Sequence, residues 1–323
     1  MREYTHHKKS KKTLKVILLL LLSFVLVTVA VGIAVIGINY VTNRDFKESF
    51  FNVSSLKVNN KIRVIQISDL HSCTYGDQNS KIIDRVTKLD PDIIIYTGDC
   101  VDSKATNTDD IVNLCGKLSK VAPSYYIYGN NEIEKFYGEV FTQEALDSKF
   151  GFNDSNRQPE KLLEIPDEFA EKLEAAGVKV LKNQMDTITV GTTTVDVYGV
   201  LTSNPSAFWS YSGESFENYI NTNPSHFKIT AIHEPLVFEE FTADTWGDVM
   251  LAGHTHGGIA KIPIIGPAYT PEGGFLPEGS GCFVYGRYNV QGRPLIVSSG
   301  LENSNLLRIN NPPELVIVDI NRF

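Results

Sequence analysis

The chain has 323 residues, 42% of them apolar and 21% charged, so it can bury a sizeable core in one large or two small domains and is not a disordered chain. Six of the 30 Lys/Arg and one of the 38 Asp/Glu lie in residues 1–15, so the rest carries 24 basic against 37 acidic residues within a net charge of −8. That acidic body argues against a general nucleic-acid binder but leaves room for a phosphate-ester substrate, because bound metal ions can supply positive charge locally.

The basic tail (Arg2, Lys8, Lys9, Lys11, Lys12, Lys15) runs into Val16–Ile38, 23 residues without a charge. At about 1.5 Å per residue this run spans a bilayer core with some tilt, and it predicts one transmembrane helix. It is longer than the roughly 7–15-residue apolar core of a cleaved signal peptide, although Thr28-Val29-Ala30 keeps cleavage as an alternative. Six basic residues before the span, against Arg44 and Lys47 after it, put the N-terminus in the cytoplasm and the body outside. His6 and His7 then belong to the inner tail as solvated polar residues. The predicted organisation is a cytoplasmic tail over 1–15, an anchor over 16–38, a linker and lead-in over 39–61 and one body over 62–323.

The body is predicted to begin with a strand over Ile62–Ser68, rich in β-branched residues and ending in Asp69-Leu70-His71. A helix follows over Gln78–Leu89, then an apolar strand over Ile93–Thr97 that stops at Gly98-Asp99-Cys100-Val101-Asp102. A helix over Asp109–Val121 and a strand over Ser124–Tyr128 complete a third unit, closed by Gly129-Asn130-Asn131-Glu132. Three strand–helix units in succession imply an α/β body with a largely parallel, helix-covered sheet, whose carboxyl edge is where such sheets build sites.

The second half reads as a helix over Pro166–Ala176, a hairpin of Asp186–Val190 with Thr193–Val200, and a strand over Phe227–Ile232 ending in His233. The apolar run Asp248–Ala252 then opens into Gly253-His254-Thr255-His256-Gly257-Gly258. If strand alternation continues there, both imidazoles project to one side. A hairpin of Cys282–Asn289 with Arg293–Ser298 and a closing strand over Glu314–Ile320 complete what reads as a second sheet facing the first. Two excursions, Glu134–Leu163 and the aromatic Ser203–Ser225, are either lids over a site or loops packed on their own domain. Cys73, Cys100, Cys115 and Cys282 lack zinc spacing and read as buried small residues, with disulfides open as the alternative outside the cell.

His71, His233, His254 and His256 each end an apolar strand, while His226 reads as a surface loop residue. Asp69, Asp99 and Asn130 join them, a thiolate-free N/O donor set that suits Mn, Fe or Zn. Seven donors exceed what one tetrahedral ion needs.

These ordered motifs, Asp69-x-His71, Gly98-Asp99-x-x-Asp102, Gly129-Asn130-x-Glu132, His233 and Gly253-His254-x-His256, resemble those of calcineurin-like metallophosphoesterases over roughly residues 60–321. The closing Gly300–Ser304 and Asn311–Glu314 segments are similar to the bacterial membrane-associated branch that includes UDP-2,3-diacylglucosamine pyrophosphatase-like proteins. The resemblance implies a four-layer α/β/β/α sandwich and two divalent metal ions. Asp69, His71 and His256 would hold one ion, Asn130, His233 and His254 the other, and Asp99 would bridge them, leaving Asp102 a supporting role. It also implies hydrolysis by a metal-bridging hydroxide without a covalent phospho-enzyme. Asp99, Asn131 and His254 are the expected catalytic set.

One position departs from the family pattern. Its third motif carries a histidine as proton donor where this chain has Asn131. A neutral amide cannot act as a general acid, so a phosphodiester or pyrophosphate with a stable leaving anion, small or lipid-linked, is the expected substrate. The alternatives are a metal-stabilised binding protein of the cell envelope that has lost its acid, and a nuclease or nucleotide phosphodiesterase on the same scaffold.

Overall fold

The computed structural model describes residues 2–141, 167–201, 218–235, 247–258, 260–262, 264–270, 274–276, 283–303 and 308–323. It divides into two units, Met1–Arg44 and Asp45–Phe323. The first is a single helix, α1 (Arg2–Thr42), in which Leu14–Thr42 is long and apolar enough to cross a membrane, with a mean hydropathy of 3.1 and none of it buried.

In the second unit the strands β1 (Lys47–Ser55), β2 (Ile62–Ile67), β3 (Ile93–Thr97), β4 (Ser124–Ile127) and β5 (Val178–Val180) build one sheet. The strands β6 (Gln184–Val190), β7 (Thr193–Gly199), β8 (Phe227–Ala231) and β9 (Val249–Ala252) build another. Four two-residue strands follow: β10 (Lys261–Ile262), β11 (Gly266–Pro267), β12 (Tyr269–Thr270) and β13 (Gly274–Phe275). The last three are β14 (Gly286–Val290), β15 (Arg293–Val297) and β16 (Glu314–Arg322). The first sheet has the order β1-β16-β2-β3-β4-β5 and the second β14-β15-β9-β8-β7-β6.

Two sequence expectations are corrected here. The lead-in before Ile62 contains β1, which pairs in parallel with β16. The closing strand joins the first sheet, antiparallel to β2, and not the second, so the first sheet is mixed although β2 to β5 run parallel. Strand pairing is non-local, and the continuous apolar run of β16, buried on both faces, suits either sheet.

Alternation assigns the layers. Val64, Ile93, Ile95, Val316 and Val318 of the first sheet share one core with Val195, Val197, Ile229, Val249, Leu251 and Ile296 of the second, so the two sheets pack face to face. The opposite faces of β2, β3 and β16 (Ile65, Ile67, Ile94, Tyr96, Leu315, Ile317) meet the helices. These are α2 (Ser80–Leu89), α3 (Asp109–Leu118), α4 (Asn130–Phe141) and α5 (Glu168–Ala175). In α3 the buried Ile111, Leu114, Cys115 and Leu118 fall at the spacing of one helical face. The side chain of Asp167 caps α5 by accepting from Ala170 N–H at 3.0 Å. Tyr198, Tyr219, Met250 and Leu295 form a further core on the outer face of the second sheet.

Of the aromatic excursion, Tyr219 is buried, stacked on Tyr198 at 4.9 Å. Phe208, Trp209, Tyr211 and Phe216 lie outside the described residues, as do Cys282 and residues 142–163 of the charged excursion. Cys73, Cys100 and Cys115 are buried free thiols.

Candidate metal centre

Five of the seven expected donors follow strand ends and leave extended geometry at once: φ is 50° at Asp69, 46° at His71, 52° at Asp99, 73° at His254 and 51° at His256. Such left-handed backbone is costly for residues with a Cβ, and it persists where the surroundings over-determine it. It also corrects the alternation argument. β9 ends at Ala252, and the two histidines beyond it serve different clusters.

Asp69, His71 and His256 each offer a ligand atom within 4.8 Å of the others, and Asp99, His233 and His254 form a second such group. Asn130 Oδ1 lies 3.1 Å from both His233 Nε2 and His254 Nδ1, which adds it to the second group. Asp99 Oδ2 stands 3.2 Å from His233 Nε2 and 3.7 Å from His71 Nε2, and so faces both groups. His71 Nε2 and His256 Nε2 are 3.2 Å apart. All seven side chains therefore converge on one edge of the sandwich.

The imidazoles are oriented from behind. His233 donates from Nδ1 to Thr97 O at 2.7 Å, which leaves Nε2 for the site. His256 turns Nδ1 towards Glu302 Oε2 at 3.4 Å and Arg308 Nη2 at 3.2 Å. Burial holds His256 down at about 4, against the pull of Asp69, so it is neutral as a ligand must be. Burial would lower His233 too, yet Asp99 and Asp69 raise it to about 10. Burial would raise Asp99, but His233, His71 and the Asn131 N–H hold it well below the usual carboxylate range. A strong field thus favours positive charge between these carboxylates, and an N/O donor set without thiolate fits divalent cations of intermediate hardness.

Close backbone approach makes the convergence possible. Gly98 has φ 87°, and a Cβ there would lie 2.5 Å from Gly129 N. A Cβ on Gly253 would meet Asp69 Oδ2 at 2.5 Å. Glu132, quoted in the third motif but given no role by sequence reasoning, is fully buried. It accepts from the N–H groups of Asp99 (2.8 Å), Gly129 (3.0 Å) and Val101 (3.0 Å) and from Tyr126 O–H (2.7 Å), so one carboxylate ties the Asp99 loop to the Asn130 loop. Burial and the charge of Asp99 push its carboxyl up. Arg308 carried no sequence signal, because arginine is ordinarily exposed, yet here it is buried beside His256.

Asn131 accepts from Ser103 N–H at 3.1 Å and donates from Nδ2 to Asp99 Oδ2 at 2.6 Å. Asp102 is outside both groups and accepts from Lys104 N–H at 2.8 Å. His226 is not a plain surface residue: it is partly buried, with Nδ1 3.1 Å from the buried Asp196 carboxylate, at the other end of β8 from His233.

Known proteins resemble this chain in sequence. The metallophosphoesterase YkuE of Bacillus subtilis is 25% identical over 260 residues, 79% of this chain and 77% of that one. UDP-2,3-diacylglucosamine pyrophosphatase LpxG of Chlamydia muridarum is 25% identical over 290 residues, 80% of this chain and 83% of its own. Phosphodiesterase YaeI of Escherichia coli is 22% identical over 266 residues, with 80% and 82% covered. The family model for calcineurin-like phosphoesterases matches residues 62–258, more than half of the chain, and the chain belongs to that family.

Proposed function

We propose that this protein is a hydrolase of phosphodiester or pyrophosphate bonds, anchored by α1 with its N-terminus in the cytoplasm and its body outside. Asp69, His71 and His256 would hold one divalent ion, Asn130, His233 and His254 a second, and Asp99 would be shared. The observation that carries the reading is Asp99 Oδ2, which faces His71 of one group and His233 of the other. Two ions held there would supply Lewis-acid polarisation of a phosphoryl oxygen and an acidified water. The acidic body suits a small or lipid-linked phosphate compound better than long nucleic acid.

The protein's own part begins with Asn131. Its amide is engaged on both atoms, by Ser103 N–H and by Asp99, so it orients the carboxylate and delivers no proton to a leaving group. A leaving group that departs as a stable anion needs none, which supports a pyrophosphate or an activated diester over an alkyl monoester. The names of two relatives, a pyrophosphatase and a phosphodiesterase, support the same class.

The test is the full chain in detergent, stripped of metal and then assayed with Mn²⁺ on a bis-aryl phosphodiester beside Asp99→Asn. Metal-dependent turnover that disappears in the variant is the expected result. Two ions bound per chain with no turnover on diesters or pyrophosphates would overturn the hydrolase reading in favour of a binding protein.

A further inference from the structure

The edge that gathers the seven donors also carries exposed apolar side chains. Ile264 is 107% exposed, Phe275 85%, Ile265 58% and Leu276 50%. They stand on two short hairpins, β10–β11 and β12–β13, which leave the ligand loop directly after His256-Gly257-Gly258. The β10–β11 turn is closed by Ile265 N–H on Ile262 O at 3.2 Å and places Ile264 at φ 74°, where glycine or asparagine is the ordinary choice. Ile262 on β10 is exposed beside them, and among the described residues of the body the other exposed large apolar side chains sit singly, Phe50 on β1, Leu56 just after it and Phe323 at the chain end.

The hairpins are fixed to the ligand loop. Asn311 donates from Nδ2 to His256 O and Gly258 O, both at 2.7 Å, and Lys261 N–H donates to Ile309 O at 3.0 Å. Ala268 N–H donates to Ala260 O at 2.7 Å and Leu276 N–H to Ala268 O at 3.0 Å, which stacks the second hairpin on the first.

The body's chain enters at this same edge. Phe46 packs edge-on against Tyr75 at 5.1 Å, Tyr75 O–H donates to Leu301 O at 2.7 Å, and Leu301 N–H donates to Asp69 O at 3.1 Å. Lys47 N–H donates to Pro313 O at 2.9 Å, two residues from Asn311. Only residues 43–46 separate the end of α1 from β1. An extended chain covers at most about 3.6 Å per residue, so this connector reaches roughly 14 Å. Connector length alone sets that limit.

We infer that Ile264, Ile265, Phe275 and Leu276 are a lipid-contact surface, resting in the headgroup–acyl boundary of the bilayer with the metal-ligand edge turned towards it. The inference rests on α1 being a membrane anchor. A bilayer is the occupant because a short connector leaving from this edge, and not from the Phe323 end, holds the hairpins within reach of the membrane.

The test uses the full chain reconstituted in vesicles of phosphatidylcholine and phosphatidylglycerol, with and without doxyl-labelled phosphatidylcholine. Phe275→Trp and Ile264→Trp are each read against the unsubstituted chain, which removes the contribution of Trp209 and Trp246. Phe323→Trp is the control at the far end. The added emission of the first two falls about twofold with the quencher, as for a ring about 5–10 Å into the boundary, while that of Phe323→Trp is unchanged. A chain that floats with the vesicles but shows no quenching at 275 and 264, or equal quenching at 323, overturns the inference alone. A chain that does not float with the vesicles overturns the anchor, and this inference with it.

Discussion

Replacing Glu132 by glutamine tests whether one buried carboxylate holds the centre together. Its two oxygens receive four donors, the N–H groups of Asp99, Gly129 and Val101 and the hydroxyl of Tyr126. Glutamine keeps the shape but only one accepting oxygen, so whichever way the amide turns, its NH₂ faces at least one backbone N–H. Hydrogen bonds to a charged acceptor contribute about 1.5–3 kcal/mol each; two are lost, and Tyr126 recovers part of one by turning to accept. The expected cost is about 3–5 kcal/mol, a large part of a typical total of about 5–15 kcal/mol. Those bonds also hold Asp99 at φ 52°, so metal content should fall together with stability. Thermal unfolding by near-UV circular dichroism and elemental analysis of the full chain in detergent give both readouts, with Tyr126→Phe as a milder comparison. A Glu132→Gln protein within about 1 kcal/mol of the parent that keeps its metal would refute the reasoning. It would mean that the carboxyl is protonated in the fold and donates to Tyr126.

Three further outcomes are expected. Asn131→His restores a group able to protonate a leaving group and should raise turnover of esters with poor leaving groups by about 10²–10⁴; unchanged rates on such esters would show that Asn131 is not limiting. Gly253→Ala puts a methyl onto Ser68 Oγ and 2.5 Å from Asp69 Oδ2, and should weaken metal binding by about 10–100-fold in a chelator titration, leaving α5 and its cap untouched. Asp167 accepts from Lys182 at 2.6 Å, Tyr137 at 2.6 Å and Tyr128 at 2.7 Å; burial raises its carboxyl, and these partners, Lys182 foremost, bring it below its ordinary value. Because the folded value is the lower one, its contribution is complete above the unfolded value of about 3.9 and is lost as pH falls towards the folded value. Asp167→Asn should therefore cost about 2–4 kcal/mol at neutral pH and flatten the melting-temperature slope between about pH 5 and about pH 3; an unchanged slope would show that the Lys182 pair contributes nothing.

The apolar span of α1, the strands β2, β3, β4, β8 and β9, and the order of polar residues at their ends were legible in the sequence, because continuous apolar runs and glycine punctuation are local signals. The sequence could not place β1 and β16, whose pairing with each other spans most of the chain. Strand alternation put His254 and His256 on one side; the family resemblance already implied that they part company, and the reason is backbone turning left-handed just where alternation is assumed to continue. Three features emerge only from the folded chain: Glu132 ties two loops, Arg308 is buried beside His256, and the hairpins carrying Ile264 and Phe275 share an edge with the chain's entry at Phe46. Each of these joins residues far apart in sequence, and such contacts form when the sheets and their connecting loops assemble, which no local periodicity encodes.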